Sequence, residues 1–321
     1  MASMSELGLA IDGFTPATDI AGQAKAAEEG GAQTLWIATH LFQRDPVALA
    51  SAALAATKTL KVALMAVSPF SVHPVYAAMS AATLDELFPG RVVLSLGVGA
   101  PNDLKGAGIE SDRPLLTIRE ATEICREMFA GDAVHFEGEK FRISGRRLVN
   151  GAREIPIFLA ASGPRMLALG GTHADGAIVS GATAAPFVKT CLKRVTAGAG
   201  GRSIRNYGIV YTCIDPDQDK AIAPVRRTLA FILRGEHHAT NIEMGGSALD
   251  QDQLRQAFSA QDWDELEKII GPEVAGAHAA CGDAAYVRNR LSEYFSAGLD
   301  QVIISGIADP DEIRSTLRAL L

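Results

Sequence analysis

Eight short apolar runs, most of them followed by a stretch of helical character, restrict the folds open to this chain more than any other feature. They lie at residues 7–11, 34–38, 61–67, 92–96, 155–160, 176–180, 207–214 and 301–305. In the first half they recur about every 30 residues, the length of one strand plus one crossover helix in a parallel βαβ unit. The punctuation between them agrees. Helices are expected over 16–29, 46–57, 74–87, 115–129, 164–169, 186–197, 217–233, 286–296 and 310–321. Thr15 and Asp45 stand where N-caps belong, Pro16, Pro46 and Pro74 suit first helical positions, and Gly30-Gly31 is a stop signal.

Two segments fall outside this rhythm. Residues 133–148 (AVHFEGEKFRISGRRL) alternate and break at Glu137-Gly138, which predicts a small hairpin before strand five. Residues 235–271 carry no strand pattern and read as an insertion of short helices after strand seven. Eight strand–helix repeats in 321 residues without a linker predict one (β/α)8 TIM barrel over 1–321, with 235–271 inserted in it. The competing fold is an open doubly wound sheet. It calls for a glycine fingerprint after strand one, where this chain has Asp12-Gly13-Phe14-Thr15.

The net charge of −7 disfavours a nucleic-acid or anionic-membrane partner. No apolar run reaches the roughly 18–20 residues that span a bilayer. The N-terminus lacks a basic region followed by an apolar core, so no secretory signal is expected, and Met4 offers a second start after Met1. Cys125, Cys191, Cys213 and Cys281 show no CxxC pair and no metal-ligand spacing. These features predict reduced thiols, no metal and a cytoplasmic protein.

Barrel chemistry sits at the C-terminal strand ends, which nominates particular residues. His40 follows strand two, and an imidazole there can exchange a proton near neutral pH. Asp12 is the one carboxylate at the very end of strand one, able to act as an acid or simply to cap its turn. Gly97 and Gly99 follow strand four and let a flat ligand approach backbone. Ser162-Gly163-Pro164 opens a helix beside Arg165, a setting that favours an anion or serves as an ordinary turn capped by serine. His73, before Pro74, reads as acid/base or as the flank of a helix. The adjacent His237 and His238 point apart and do not suit a shared metal. There is no Walker sequence, GxSxG elbow or HExxH.

Several patterns occur in one order: TLWIATHLFQRDP, VSPFSVHPVYAAMSAATLDELFPGRVVLSLGVG, IPIFLAASGPRMLALGGTHADGAIVSG, VYTCIDPD and CGDAAYVRNRLSEYFSAGLDQVIISG. With them the chain resembles the bacterial luciferase-like superfamily, and within it the coenzyme F420-dependent branch that includes methylenetetrahydromethanopterin reductases. The resemblance implies a flavin-like ring across the barrel mouth, backed by a strand-three bulge, often with a non-prolyl cis peptide, within Met65-Ala66-Val67. It implies that Thr39 and Gly97 border the ring and that Ala161-Ser162-Gly163, with Arg165, lie near the ring or its phosphate arm. His40 matches the histidine of the family's Asp-His strand end, with Thr39 in place of Asp. The pterin reductases carry a Glu on strand one where this chain has Ala10, with Asp12 two positions on and facing the same side.

The resemblance therefore implies hydride transfer between F420 and a small organic or pterin-type substrate. The alternatives it leaves open are an FMN-dependent monooxygenase served by a flavin reductase, a flavin-free nicotinamide-dependent reductase, and a non-catalytic flavin-binding relative. It also implies a homodimer through first-half helices, whose alanines at 48–56 and 77–82 pack either on a partner or on the barrel.

Overall fold

The computed structural model describes residues 6–321. The Met1 and Met4 alternative starts lie outside the described residues. Eight parallel strands form the barrel: β1 (Glu6–Ile11), β2 (Thr34–Ala38), β3 (Lys61–Val67), β4 (Val92–Leu96), β7 (Ile157–Ala161), β8 (Gly176–Val179), β9 (Arg205–Ile214) and β11 (Gln301–Ser305). Each pairs with the next in that order. The ring closes where β8 pairs β9 and β11 pairs β1. The antiparallel hairpin is β5 (Val134–Glu137) with β6 (Arg142–Arg146), as its alternation predicts.

The barrel is filled rather than hollow. Ala10, Trp36, Ala63, Val93, Phe158, Ile178 and Ile303 form one apolar cluster inside it. Trp36 meets Phe158 and Tyr207 edge-on, and Phe158 stacks on Tyr207 at 4.6 Å. The indole N–H of Trp36 donates to Gln301 Oε1 at 2.9 Å. Gly8 makes that contact possible, since a Cβ there would stand 2.7 Å from the same oxygen and 2.8 Å from the indole nitrogen. Burying the indole with its one donor satisfied avoids the cost of an unpaired polar group.

The outer helices are α1 (Ile20–Gly30), α2 (Pro46–Ala56), α3 (Pro74–Leu87), α4 (Pro101–Gly106), α5 (Pro114–Ala130), α6 (Pro164–His173), α7 (Ala185–Ala199), α8 (Gln218–Leu233), α13 (Ala284–Ala297) and α14 (Pro310–Leu320). Asp45 caps α2 as expected, accepting from the Ala48 N–H at 2.8 Å. The first helix departs from expectation. Ala17–Asp19 is a 3-10 turn and the α-helix begins only at Ile20. Thr15 is not its cap, because its N–H and hydroxyl both donate to Asp12 Oδ1. Two short elements lie outside the strand–helix rhythm: α4, directly after strand four, and β10 (Ala280–Gly282), which adds beside β9 outside the ring.

The insertion is helical, with α9 (Ala239–Gly245), α10 (Gln251–Ala260) and α11 (Trp263–Ile269), and the pattern continues through α12 (Pro272–His278). Leu254, Ala257, Leu266, Ile270 and Val274 join Ile222, Val225 and Leu229 of α8 in a second apolar cluster. No helix among the described residues is long and apolar enough to cross a membrane. Ala50, Ala53, Ala77, Ala78, Ala81 and Ala82 are buried within the chain, so these alanines pack on the barrel.

Candidate active site

The C-terminal strand ends surround a cavity of about 470 Å³ whose floor is made of small residues: Ala38, Ala66, Gly97, Ala160 and Ala161. Strand three shapes one side of it. The β3–β4 register shifts between Leu64 and Val67, and the Met65–Ala66 peptide is cis. This is the bulge expected at Met65-Ala66-Val67. Hydrogen bonds from Thr39 N to Met65 O (2.7 Å) and from Gly97 N to Val67 O (3.1 Å) tie it to both neighbouring strands. Gly97 keeps the floor low, because a Cβ there would sit 3.0 Å from that of Ala66.

The hydroxyls around this cavity are conspicuous for what they lack. Thr39 Oγ1 and Ser180 Oγ line it, are buried, and find no hydrogen-bond partner among the described residues. Ser95 Oγ, on β4, is in the same state. Folded proteins rarely leave buried polar atoms unmatched, so an orphaned pair at a cavity wall marks where a ligand's polar atoms fit. A planar group with polar edges, such as a flavin or deazaflavin ring, suits both the low floor and these hydroxyls.

His40 stands on the rim, its side chain 43% exposed, with Nδ1 3.4 Å from Asp103 Oδ2. It borders a second cavity of about 650 Å³ between the β2 and β3 loops and the start of α3, which shares Thr39, His40, Gly99 and Ala100 with the first. Asp12 is exposed, and its Oδ1 accepts from the Phe14 and Thr15 N–H groups, so it holds its own turn. His73 is the N-cap of α3, its Nδ1 accepting from Val75 N, and burial pushes its imidazole pKa down.

Ser162 does not cap α6. The N-cap is Gly163, without a side-chain bond, and Pro164 brings no N–H. Arg165 is exposed there and, with Gly163 and Arg113, borders a cavity of about 610 Å³. The open helix start and two guanidinium groups favour negative charge. Arg113 is already paired with Glu139 at 2.5 Å, leaving Arg165 as the freer cation.

The loop after β8 is held by side chains that no sequence pattern marks. Asn241, on α9, accepts from Ala184 N and donates to Ala182 O, both at 2.8 Å. The Tyr294 hydroxyl donates to Thr183 O at 2.8 Å. Ala182, between these ties, has a left-handed φ of 58°. His238 and His278 lie beside them, and burial pushes both imidazoles down to about 4, so both are neutral at neutral pH. No local motif announces an asparagine that works on a loop some 57 residues away.

A larger cavity, about 990 Å³, opens at the opposite end of the barrel among Glu6, Lys61, Arg205 and Gln301. Four of its charged groups are paired with one another, Arg205 with Glu6 at 2.7 Å and Arg126 with Asp175 at 3.1 Å. Barrel enzymes use the other end, and size alone does not move the site.

The sequence model described as "Luciferase-like monooxygenase" matches residues 3–301. The chain belongs to this luciferase-like family. Among relatives, this luciferase-like chain is 30% identical over 301 residues to the 5,10-methylenetetrahydromethanopterin reductase of Archaeoglobus fulgidus, covering 91% of the chain and 90% of that protein. It is 29% identical over 279 residues to the F420-dependent glucose-6-phosphate dehydrogenase of Nakamurella multipartita, covering 78% and 82%. The coenzyme F420-dependent tetrahydromethanopterin reductase structure from Methanopyrus kandleri superposes with a TM-score of 0.88 at 24% identity, over 99% of this chain and 97% of that one. The luciferase-like fold places Thr39, His40, Ala66, Gly97 and Ala161 together at one barrel mouth.

Proposed function

We propose that this chain is an oxidoreductase that moves a hydride between coenzyme F420 and a small organic or pterin-type substrate. The observation that carries the reading is the flat floor of small residues at the mouth, walled by the unpartnered hydroxyls of Thr39 and Ser180, with His40 on its rim. The two relatives above act, by name, on a pterin and on a sugar phosphate. The dehydrogenase and the Methanopyrus reductase are both named as F420-dependent, so it is the cofactor rather than the substrate that carries over.

When bound, the deazaflavin supplies the hydride chemistry. The chain's own residues do the rest. Ala66, Gly97 and Ala160 let a ring lie flat; Met65 and Val67 fix the bulge behind it; Gly99 shapes the adjoining loop. The Thr39 and Ser180 hydroxyls meet ring polar atoms. The α6 start, with Ala161, Ser162, Gly163 and Arg165, receives a phosphate. His40 gives or takes the proton that accompanies the hydride. Asp12, engaged in its own turn, is the reserve acid.

An FMN-dependent monooxygenase, served by a separate flavin reductase, is the second reading, favoured by the family's own description. Titration of the purified protein with F420 and with FMN separates the two. Stoichiometric F420 binding with weak FMN binding is expected, and tight FMN binding overturns the first reading.

The chain acts as a homodimer in this proposal. Tyr76, Met79 and Leu87 expose large apolar side chains along α3, a stripe suited to a second copy. Met79→Glu is expected to shift the light-scattering mass from dimer to monomer. The four buried free thiols fit a reducing, cytoplasmic setting.

A further inference from the structure

The His40 imidazole does not stand alone. Its Nδ1 lies 3.4 Å from Oδ2 of Asp103, a residue delivered by a different loop, and both side chains face the cavity of about 650 Å³ that adjoins the mouth. In ligand-free sites such contacts are often long and tighten when substrate binds.

Asp103 is held in place by its surroundings. It lies in the first turn of α4, with its N–H donating to Ala100 O at 3.1 Å, and the next residue, Leu104, is buried. The loop before it is tied to the β3 loop by the Ser68 hydroxyl, which donates to Val98 O at 2.7 Å. Other charged groups of the cavity are engaged elsewhere. Arg44 donates to the carbonyls of Gly13 and Phe14, Asp45 caps α2, and His73 caps α3. Among the described residues the Asp103 carboxylate has no other ion pair or hydrogen bond than its approach to His40. An exposed pair of this kind adds little to stability, so its geometry calls for a reason other than folding.

We propose that Asp103 is a positioning residue for the proton transfer: its carboxylate accepts the Nδ1–H of His40, fixes that tautomer, and leaves Nε2 to exchange the proton with substrate. This rests on the reading of His40 as the acid/base. When substrate is reduced, the hydride comes from reduced F420 and the accompanying proton from Nε2. The imidazolium becomes the neutral ring, its remaining proton on Nδ1 and still donated to the Asp103 carboxylate. In the reverse direction Nε2 takes the proton and the same Nδ1–H bond stabilises the cation formed.

The test uses the full chain with histidine ring nitrogens labelled with 15N, loaded with F420, at about pH 8 where an ordinary imidazole is neutral. The His40 signals are assigned by their loss in His40→Gln. Wild type and Asp103→Glu are expected to show the Nδ1–H tautomer, and Asp103→Ala the Nε2–H form that an unrestrained ring prefers in water. With methylenetetrahydromethanopterin as the turnover probe, Asp103→Ala is expected to lower kcat about tenfold with KM within about twofold, and Asp103→Glu to restore most of it. An unchanged tautomer in Asp103→Ala overturns the proposal, as does a loss of kcat that Asp103→Glu fails to rescue. Full turnover by His40→Gln overturns instead the acid/base reading beneath it, and the tautomer measurement then stands as a report on the pair alone.

Discussion

The two ends of the barrel treat polar atoms in opposite ways. At the end where strands begin, acids and bases are engaged as staples. The Glu28 carboxylate accepts from the N–H groups of Lys58, Thr59 and Leu60. Arg91 donates to the carbonyls of Leu54, Thr57 and Leu60, and Asp175 accepts from Ile157 N and Arg126. Asn206 Oδ1 and Arg153 Nε lack partners there, yet Arg153 still pairs with Asp85 and donates to Asn150. At the end where strands finish, Thr39 and Ser180 keep whole hydroxyls unmatched around a floor of alanine and glycine. Cavity volume points to the first end and chemistry to the second. Groups already matched inside the protein stabilise it; groups left unmatched are available to a ligand.

The contrast can be broken in four places, the largest effect first. His40→Asn should lower kcat by about a hundredfold or more while leaving the urea midpoint unchanged, since a rim residue contributes to proton transfer rather than to folding. Gly97→Val should raise the floor into the cofactor's place and weaken F420 binding by about thirtyfold in a fluorescence titration, with circular dichroism unaltered.

At the other end, Glu28→Gln should cost about 1–2 kcal/mol in urea unfolding, after allowance for its partial exposure, with F420 affinity unchanged. Burial raises the Glu28 pKa, but the N–H groups of Thr59, Leu60 and Lys58 lower it by more, to about 2 from an ordinary 4.5. A carboxyl depressed in the fold stabilises it fully above its unfolded value and loses that contribution as pH falls toward its folded value. Wild type should therefore lose stability relative to Glu28→Gln between about pH 4.5 and pH 2. The smallest effect belongs to Thr39→Val and Ser180→Ala. Each should leave stability unchanged or slightly raised, because no internal bond is lost, and weaken F420 binding only a few-fold.

All eight barrel strands were legible because a strand buried on both faces must be apolar along its length, and such runs stand out in any sequence. The edges were less so. The fifth strand starts at Ile157, two residues after its apolar run begins, because Ile155 is buried but precedes Pro156. The first helix starts late because Asp12 recruits Thr15 into a turn, a competition between two caps that residue preferences do not resolve. β10 has only three residues, too few to show a period.

The site divides along the same line. His40, Thr39 and Gly97 sit at strand ends and follow from the fold, and the bulge at Met65–Ala66 followed from family resemblance rather than from residue type. Asp103 carries no local signal, because its partner is 63 positions away and only the folded loops bring the two together. Asn241 was invisible for the same reason.

The Asn241 ties carry a consequence for anyone wishing to alter this protein. They and the Tyr294 bond to Thr183 fasten residues 182–184, beside the mouth, to elements outside the strand ring. The helices from α9 to α12 can thus be treated as an exchangeable cassette resting on α8. A library that varies their outer faces while keeping Asn241 and Tyr294 would remodel the approach to the mouth and leave the register of all eight staves untouched.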